Sequence, residues 1–284
     1  MTVRAITSTA PFTLFLLFIV SAILIPATHD ITSAAEAGPN DPNTPKADPN
    51  TEDANKSPQR PTHDHPAFSE RTEHREKMVS YQMRARGIKD PNVLRAMNTV
   101  PRHAFVEESL RPRAYGDHPL PIGYNQTISQ PYIVAYMTEA LHLTPDSNVL
   151  EIGTGSGYQA AVAAEIAAEV YTIEIIEPLA AAAKDRLAAL GYRNVRTKAA
   201  DGFYGWPDHA PFDAIIITAA ASFIPPPLIE QLKPSGRMII PLGSPYGVQT
   251  LVLVTKNTAG RVTTKRLLPV RFVPMLGRAI EKTK

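Results

Sequence analysis

The chain has 284 residues, a net charge of only +2 and 44% hydrophobic residues, a balance that suits one sizeable globular domain with appendages. Its charges are spread without a long basic run, so nothing in the composition calls for nucleic acid as a partner. Cysteine is absent, which excludes disulfides, thiolate nucleophiles, Cys-ligated metals and a lipidated cysteine.

The amino-terminal stretch is predicted to stand apart from the fold. Arg4 precedes an uncharged run, 11–27, with an apolar centre at 12–25, followed by the small residues Ser33-Ala34-Ala35 and Ala35-Glu36-Ala37. Positive start, apolar middle and small-residue region are the order of a secretory signal peptide over residues 1–37. This implies export to the periplasm or cell envelope; the competing readings are an uncleaved anchor, which alone would bring the chain to a membrane, and a cytoplasmic location. Residues 38–67 are dense in Pro, Asn, Asp and Thr, too poor in aliphatic side chains to offset the entropy of ordering, and are predicted to be a disordered tether. His63 and His65 fall in it and are read as incidental, not as a metal pair.

The folded part is expected over residues 68–284. Residues 69–86 favour a helix, with Met78, Tyr81 and Met83 on a partial apolar face and Gly87 as its stop. Asp90-Pro91 caps a second short helix. The stretch 100–131 is rich in Pro, Gly and Tyr and long for a connection, which points to a functional loop. His103 and His118 within it are read as surface or loop-packing residues. A helix is predicted over 133–143, completing an amino-terminal region, 68–147, on the substrate side.

From Asn148 onward strands and helices alternate. Strands are predicted near 149–152, 170–175, 195–198, 214–218 and 237–241, with helices at 158–168 and 178–190, the latter closed by Gly191. Alternation of this kind implies a parallel sheet covered on both faces. The β-rich stretches 249–255 and 261–273, joined by Thr258-Ala259-Gly260, are expected to form an antiparallel hairpin at the sheet edge.

Candidate chemistry gathers at the strand ends, where ligands of open α/β sheets bind. The first strand runs into Glu151-Ile152-Gly153-Thr154-Gly155-Ser156-Gly157-Tyr158. Gly153, Gly155 and Gly157 let backbone approach a ligand where a Cβ would collide. Glu151 is either a cofactor contact or a partner for turn amides. Glu174 ends the second strand, well placed for a ribose diol, and Asp201-Gly202 follows the third, where a carboxylate can accept from an adenine amine. Asp213 is read as a structural carboxylate. Phe203, Tyr204 and Trp206 are candidates to stack on adenine, with core packing the competing role; Arg102 and Arg271 are read as surface charges unless they line the pocket. Tyr158, where a dinucleotide fingerprint has Gly or Ala, speaks against an oxidoreductase. The tight Gly-x-Gly-x-Gly spacing is similar to that of S-adenosylmethionine (SAM)-dependent methyltransferases.

Several ordered motifs make the resemblance specific. Residues 151–158, Asp201-Gly202, residues 212–220, 232–243 and 271–274, and above all Gln126-Thr127-Ile128-Ser129-Gln130-Pro131, resemble the protein-L-isoaspartate O-methyltransferase family over roughly 78–277. The resemblance implies a Rossmann-like α/β fold with a mostly parallel seven-stranded sheet and antiparallel carboxyl-terminal edge strands. It implies SAM as cofactor, no metal, a monomer, and isoaspartyl proteins and peptides as substrates, esterified on the α-carboxylate so that repair proceeds through a succinimide. Carried over, Ser129 is catalytic, Gln126, Thr127 and Ile128 line the substrate pocket, Glu174 and Ile175 hold the ribose, and Asp201 and Gly202 the adenine. Val134 stands where some relatives have a histidine. The alternatives are a methyltransferase for another carboxylate or small molecule, and a non-catalytic SAM-binding module. An enzyme acting on base or amide nitrogens would carry an amine-orienting turn after the fourth strand; here that turn is Thr218-Ala219-Ala220-Ala221.

The residues also fit that chemistry without the resemblance. A carboxylate with an ordinary pKa near ~4 is ionised at neutral pH and needs no strong base. It needs partial desolvation and alignment, which a hydroxyl such as Ser129 can give through one hydrogen bond. The competing role for Ser129 is to cap the helix that begins at Pro131.

Overall fold

A computed structural model of the chain describes residues 60–244 and 247–278. The predicted leader and most of the predicted tether lie outside the described residues. In chain order the elements are α1 (Thr72–Lys77), α2 (Pro91–Thr99), β1 (Leu120–Gly123), β2 (Gln126–Ile128), α3 (Pro131–Leu141), β3 (Asn148–Ile152), α4 (Tyr158–Ala164) and β4 (Glu169–Glu174). They continue with α5 (Glu177–Ala189), β5 (Val195–Ala199), β6 (Phe212–Ile217), α6 (Pro226–Glu230), β7 (Leu232–Leu242), β8 (Gln249–Lys256) and β9 (Val262–Val270).

β3 to β9 form one seven-stranded sheet in the order β5-β4-β3-β6-β7-β8-β9. The first five of these are mutually parallel, and β8 and β9 run antiparallel at the edge, as predicted. Strand order reverses between β3 and β6. β3 and β6 are central strands covered on both faces: Val149, Leu150, Ile215, Ile216 and Ile217 are fully buried. One core packs on each side of the sheet. On one side α4 is buried along its whole length, and its alanines let the helix lie close to the strands.

Several boundaries differ from expectation for identifiable reasons. The predicted helix over 69–86 is α1 followed by a π-helical stretch, Met78–Met83, and a 3-10 turn, Arg84–Arg86, closed by left-handed Gly87. Met78 and Met83 are both buried; five positions apart, they face the core together only if the turn widens. Asp90 caps α2 as expected, accepting from Asn92 N–H at 2.8 Å. α4 stops at Ala164 instead of 168, because the chain must turn into β4, where Ala168 N–H donates to Ser147 O. β7 starts five residues earlier than predicted, where Leu232 pairs with Phe212 ahead of a register shift.

The long connection over 100–131 is an ordered structure with its own hairpin. β1 and β2 pair antiparallel through Tyr124 and Asn125, both at positive φ (52° and 58°), the backbone of a tight two-residue turn. Ordered contacts also begin ahead of Phe68. Pro66–Phe68 is a 3-10 turn, and His63, expected to be incidental, meets buried Glu165 at 2.8 Å. Among the described residues no helix is long and apolar enough to cross a membrane.

Candidate active site

Three contiguous clefts open beyond the carboxyl ends of β3, β4 and β6, and Thr127 and Thr218 line all three. The first, with about 550 Å³ of open space, is walled by Gly153, Gly155, Glu174, Ile175, Gly202 and the segment 273–276. The second is wider, about 1300 Å³, and mostly apolar, with Ser129, Ile133, Val270, Arg271 and Phe272 on its walls. The third lies beneath the glycine turn among Ser129, Val134, Glu151, Thr154 and Gln159. Strand-order reversal produces this junction: β3 and β6 are neighbours whose chains depart in opposite directions, leaving a crevice where Gly153 and Thr218 meet.

The glycine turn is fastened on both sides. A Cβ on Gly153 would strike Thr218 Oγ1; that hydroxyl donates to Gly153 O at 2.6 Å and lies 3.0 Å from Ile152 O. Gly155 N–H donates to Glu174 Oε2 at 2.8 Å, and Ile176 N–H to Glu174 Oε1 at 3.0 Å. Glu174 therefore braces the turn while its remaining lone pairs face the first cleft. Gly157 is not on a cleft wall. It starts α4 at φ 89°, and a Cβ there would press on Leu187 of α5, so its task is helix packing.

Glu151 is the most perturbed carboxyl of the site. It is 1% exposed, and burial pushes its pKa up to about 8. Its Oε2 accepts from Thr172 Oγ1 at 2.5 Å, while Oε1 has no partner. Thr172 has spent its one proton on Glu151, so Thr154 Oγ1, 2.6 Å away, donates to Thr172. A buried acceptor without a donor is costly, and this one borders the third cleft.

Ser129 sits between β2 and α3, half-buried, on the walls of the second and third clefts. It does not cap α3: the cap position is Gln130 and Pro131 opens the helix. Among the described residues its hydroxyl has no protein partner, leaving it available to a ligand. Gln126 and Thr127 line the first cleft, and Ile128 is buried and borders the third.

Gly202 lines the first cleft, whereas Asp201 does not. Asp201 Oδ1 accepts from Phe203 N–H and Oδ2 from Arg278 N–H, both at 2.9 Å, tying the Asp201-Gly202 turn to the segment after β9. None of Phe203, Tyr204 and Trp206 lines the cleft. Phe203 belongs to the core, and Trp206 packs edge-on against Tyr171. Asp213 has the expected structural role, accepting from Asn148 N–H and Lys233 Nζ.

Arg102, read as a surface charge, is fully buried. Its Nε donates to Ala114 O and its guanidinium lies 4.8 Å from the Tyr158 ring centre, while burial lowers its pKa to about 10. His103 is a loop-packing residue, hydrogen-bonded to the Tyr115 hydroxyl and Glu70, and burial holds its imidazole below the ordinary value. Arg271 does line the second cleft.

Sequence reasoning missed Thr218, Thr154, Thr172 and the wall at 273–276. Thr218 carried one usable signal, its place just past the strand at the reversal point.

Comparison with known proteins agrees with this geometry. Residues 73–280 match the family model described as protein-L-isoaspartate(D-aspartate) O-methyltransferase. A protein-L-isoaspartate O-methyltransferase 1 from Nitrosospira multiformis is 60% identical over 205 residues, covering 72% of this chain and 87% of its own. One from Gloeobacter violaceus is 55% identical over 198 residues, covering 70% and 96%. Among solved structures, a protein-L-isoaspartate O-methyltransferase superposes with a TM-score of 0.66 at 29% identity, covering 72% of this chain and 67% of that one. A putative one from Plasmodium falciparum, in complex with S-adenosyl-L-homocysteine, does so at 0.60 and 25% identity, covering 71% and 98%.

Proposed function

The chain belongs to the protein-L-isoaspartate(D-aspartate) O-methyltransferase family, and on that premise we propose how its residues divide the work. The reaction is SAM-dependent esterification of the α-carboxyl group of L-isoaspartyl residues in damaged proteins. The ester is then open to attack by the neighbouring backbone nitrogen, closing a succinimide and expelling methanol.

The site suits the cofactor on two observations of its own. Glu151 Oε1 is a buried acceptor awaiting a donor at the third cleft, where an ammonium group would satisfy it. Gly155 and Gly202 leave backbone bare along the first cleft, and Glu174 stands there with lone pairs suited to a diol. The residues that would hold SAM are therefore Glu151, Gly153 and Gly155 on the amino-acid side, Glu174 and Ile175 at the ribose, and Gly202 at the base, with Asp201 holding that turn in shape. When bound, SAM supplies an electrophilic methyl group.

The chain's own contribution is positional. Thr127 and Thr218 mark the point where the cofactor side meets the acceptor side, and Ser129 presents an uncommitted hydroxyl there. A carboxylate docking in the second cleft sheds water against Ile133, Val270 and Phe272 and takes a hydrogen bond from Ser129, which orients the reacting oxygen. Gln126, Thr127 and Ile128, held on the β1–β2 hairpin, shape the same pocket.

The observation that carries this reading is the free Ser129 hydroxyl at the meeting of the two clefts. Its test is methyl incorporation from labelled SAM into an isoaspartyl peptide and its normal aspartyl twin. Label is expected in the first and little in the second; equal labelling would remove the substrate assignment. Export by the leader is a separate proposal, supported by the order of Arg4, the apolar run and the small residues. Sequencing the mature amino terminus after cell fractionation tests it.

A further inference from the structure

The second cleft carries one charge. Its walls are apolar at Pro119, Ile133, Val270 and Phe272, polar at Thr127 and Ser129, and charged only at Arg271. No carboxylate lines it, so an anion entering it meets no repulsion.

The backbone just past Arg271 is pinned twice. Phe272 N–H donates to Gln249 Oε1 at 2.9 Å; Gln249 is fully buried, and its Nε2 donates to Ser244 O and Gly247 O. One residue further on, Ala220 N–H donates to Val273 O at 2.8 Å. The Arg271 side chain is exposed and, among the described residues, makes no hydrogen bond or ion pair. Arg75 bonds three carbonyls, Arg86 bonds Asp117 and Arg186 bonds Ser156 O, whereas Arg271, like the exposed Arg84 and Arg113, is uncommitted; what sets it apart is its place on a cleft wall. An uncommitted guanidinium carried on a fixed stretch of backbone at the wall of a largely apolar cleft is the arrangement of a group kept for a ligand.

The geometry points to Arg271 as the specificity-determining residue of the acceptor cleft, which captures the substrate through its carboxylate and gives it up once that carboxylate is an ester. The inference rests on the reading of this cleft as the isoaspartyl site. A guanidinium binds a carboxylate through charge-assisted hydrogen bonds, and most of that attraction disappears when the charge does. Arg271 therefore acts on the ground state of the acceptor, raising its affinity and hastening release of the neutral product, while Ser129 serves the transfer itself. It also favours an acid over the corresponding amide, the distinction between a damaged isoaspartyl site and an uncharged neighbour.

The experiment compares wild type, Arg271→Gln and Arg271→Lys on a fluorescent isoaspartyl peptide at saturating SAM. KM for the peptide is expected to rise about tenfold in the Gln variant with kcat within about twofold, and the Lys variant to fall between. Wild-type kcat/KM should decline with added salt and the Gln variant should lose most of that slope. SAM affinity, measured by calorimetry, should be the same in all three, which also certifies the fold. An isoasparaginyl peptide should compete equally weakly against wild type and variant. Unchanged KM in the Gln variant, or a loss confined to kcat or to SAM affinity, overturns the role of Arg271. If wild type binds the peptide without methylating it, the functional reading fails, and the ratio of peptide Kd values between wild type and variant still decides the role of Arg271. Absence of peptide binding by wild type would remove both.

Discussion

His63 and Glu165 are separated by 102 positions and meet at 2.8 Å, joining a residue ahead of the family-matched region to a carboxylate just past α4. Glu165 is only 2% exposed and also accepts from the Tyr192 hydroxyl at 3.2 Å, with Arg95 3.7 Å away. The Phe68 ring lies tilted against the His63 ring, centroids 4.7 Å apart. Removing this contact with His63→Ala is expected to cost about 1 kcal/mol, since the histidine is half-exposed and Glu165 keeps two partners. Thermal unfolding should show Tm lower by about 2–4 °C. An unchanged Tm would make the contact energetically idle.

Ser129→Ala should lower kcat by about 10- to 100-fold with SAM affinity unchanged, because the hydroxyl binds no protein group and lies on the acceptor side. Steady-state kinetics with calorimetric SAM titration separates the two quantities. A variant with wild-type turnover would leave Ser129 without a part in the reaction.

Glu174→Ala removes the acceptor of two backbone amides, those of Gly155 and Ile176. Stability should fall by about 1–3 kcal/mol and SAM affinity by about tenfold or more. Glu174→Gln, which keeps one carbonyl acceptor, should lie between. If SAM binding survives intact in the Ala variant, the carboxylate is a brace for the turn and nothing more.

The pH dependence of stability should carry the signature of Glu151. Its folded pKa is about 8, above the ordinary 4.5, because burial disfavours the charged form. A raised folded value means that the contribution to stability is complete below pH 4.5 and is lost as pH rises through about 8. Wild type without cofactor should therefore lose stability relative to Glu151→Gln across this window, by about 1.4 kcal/mol per pH unit at most. Urea unfolding at about pH 6 and about pH 8 measures the difference. SAM, whose ammonium favours the ionised carboxyl, should bind more tightly as pH rises and release a proton on binding. A wild-type stability profile parallel to that of the Gln variant would contradict the assignment.

Much of this was legible in residue order because each element announced itself locally. β3 and β6 carry the apolar stretches Val149-Leu150 and 214–217, Asp90-Pro91 is a helix cap, and the glycine turn follows its strand directly. The hairpin was not legible: β1 and β2 have four and three residues, and their turn is Tyr124-Asn125, without the glycine that marks such turns. Arg102 misled because a cation is expected at the surface by default, and the ring it lies over, Tyr158, comes 56 positions later in the chain. The wall at 273–276 was hidden for a related reason. It is set by Ala220, which bonds Val273 O and Met275 N–H at 2.8 Å each, a pairing that no local pattern records. Ser129 was found through a resemblance; only the structure showed that Gln130 occupies the cap position and leaves its hydroxyl free.

That late wall bears on how the protein is made. The glycine turn, Glu174 and Gly202 emerge from the ribosome first, yet the groove they form stays open on one side until synthesis has passed Leu276. A growing chain that has folded its parallel strands therefore has only part of this cleft, which closes once 273–276 pair with Ala220.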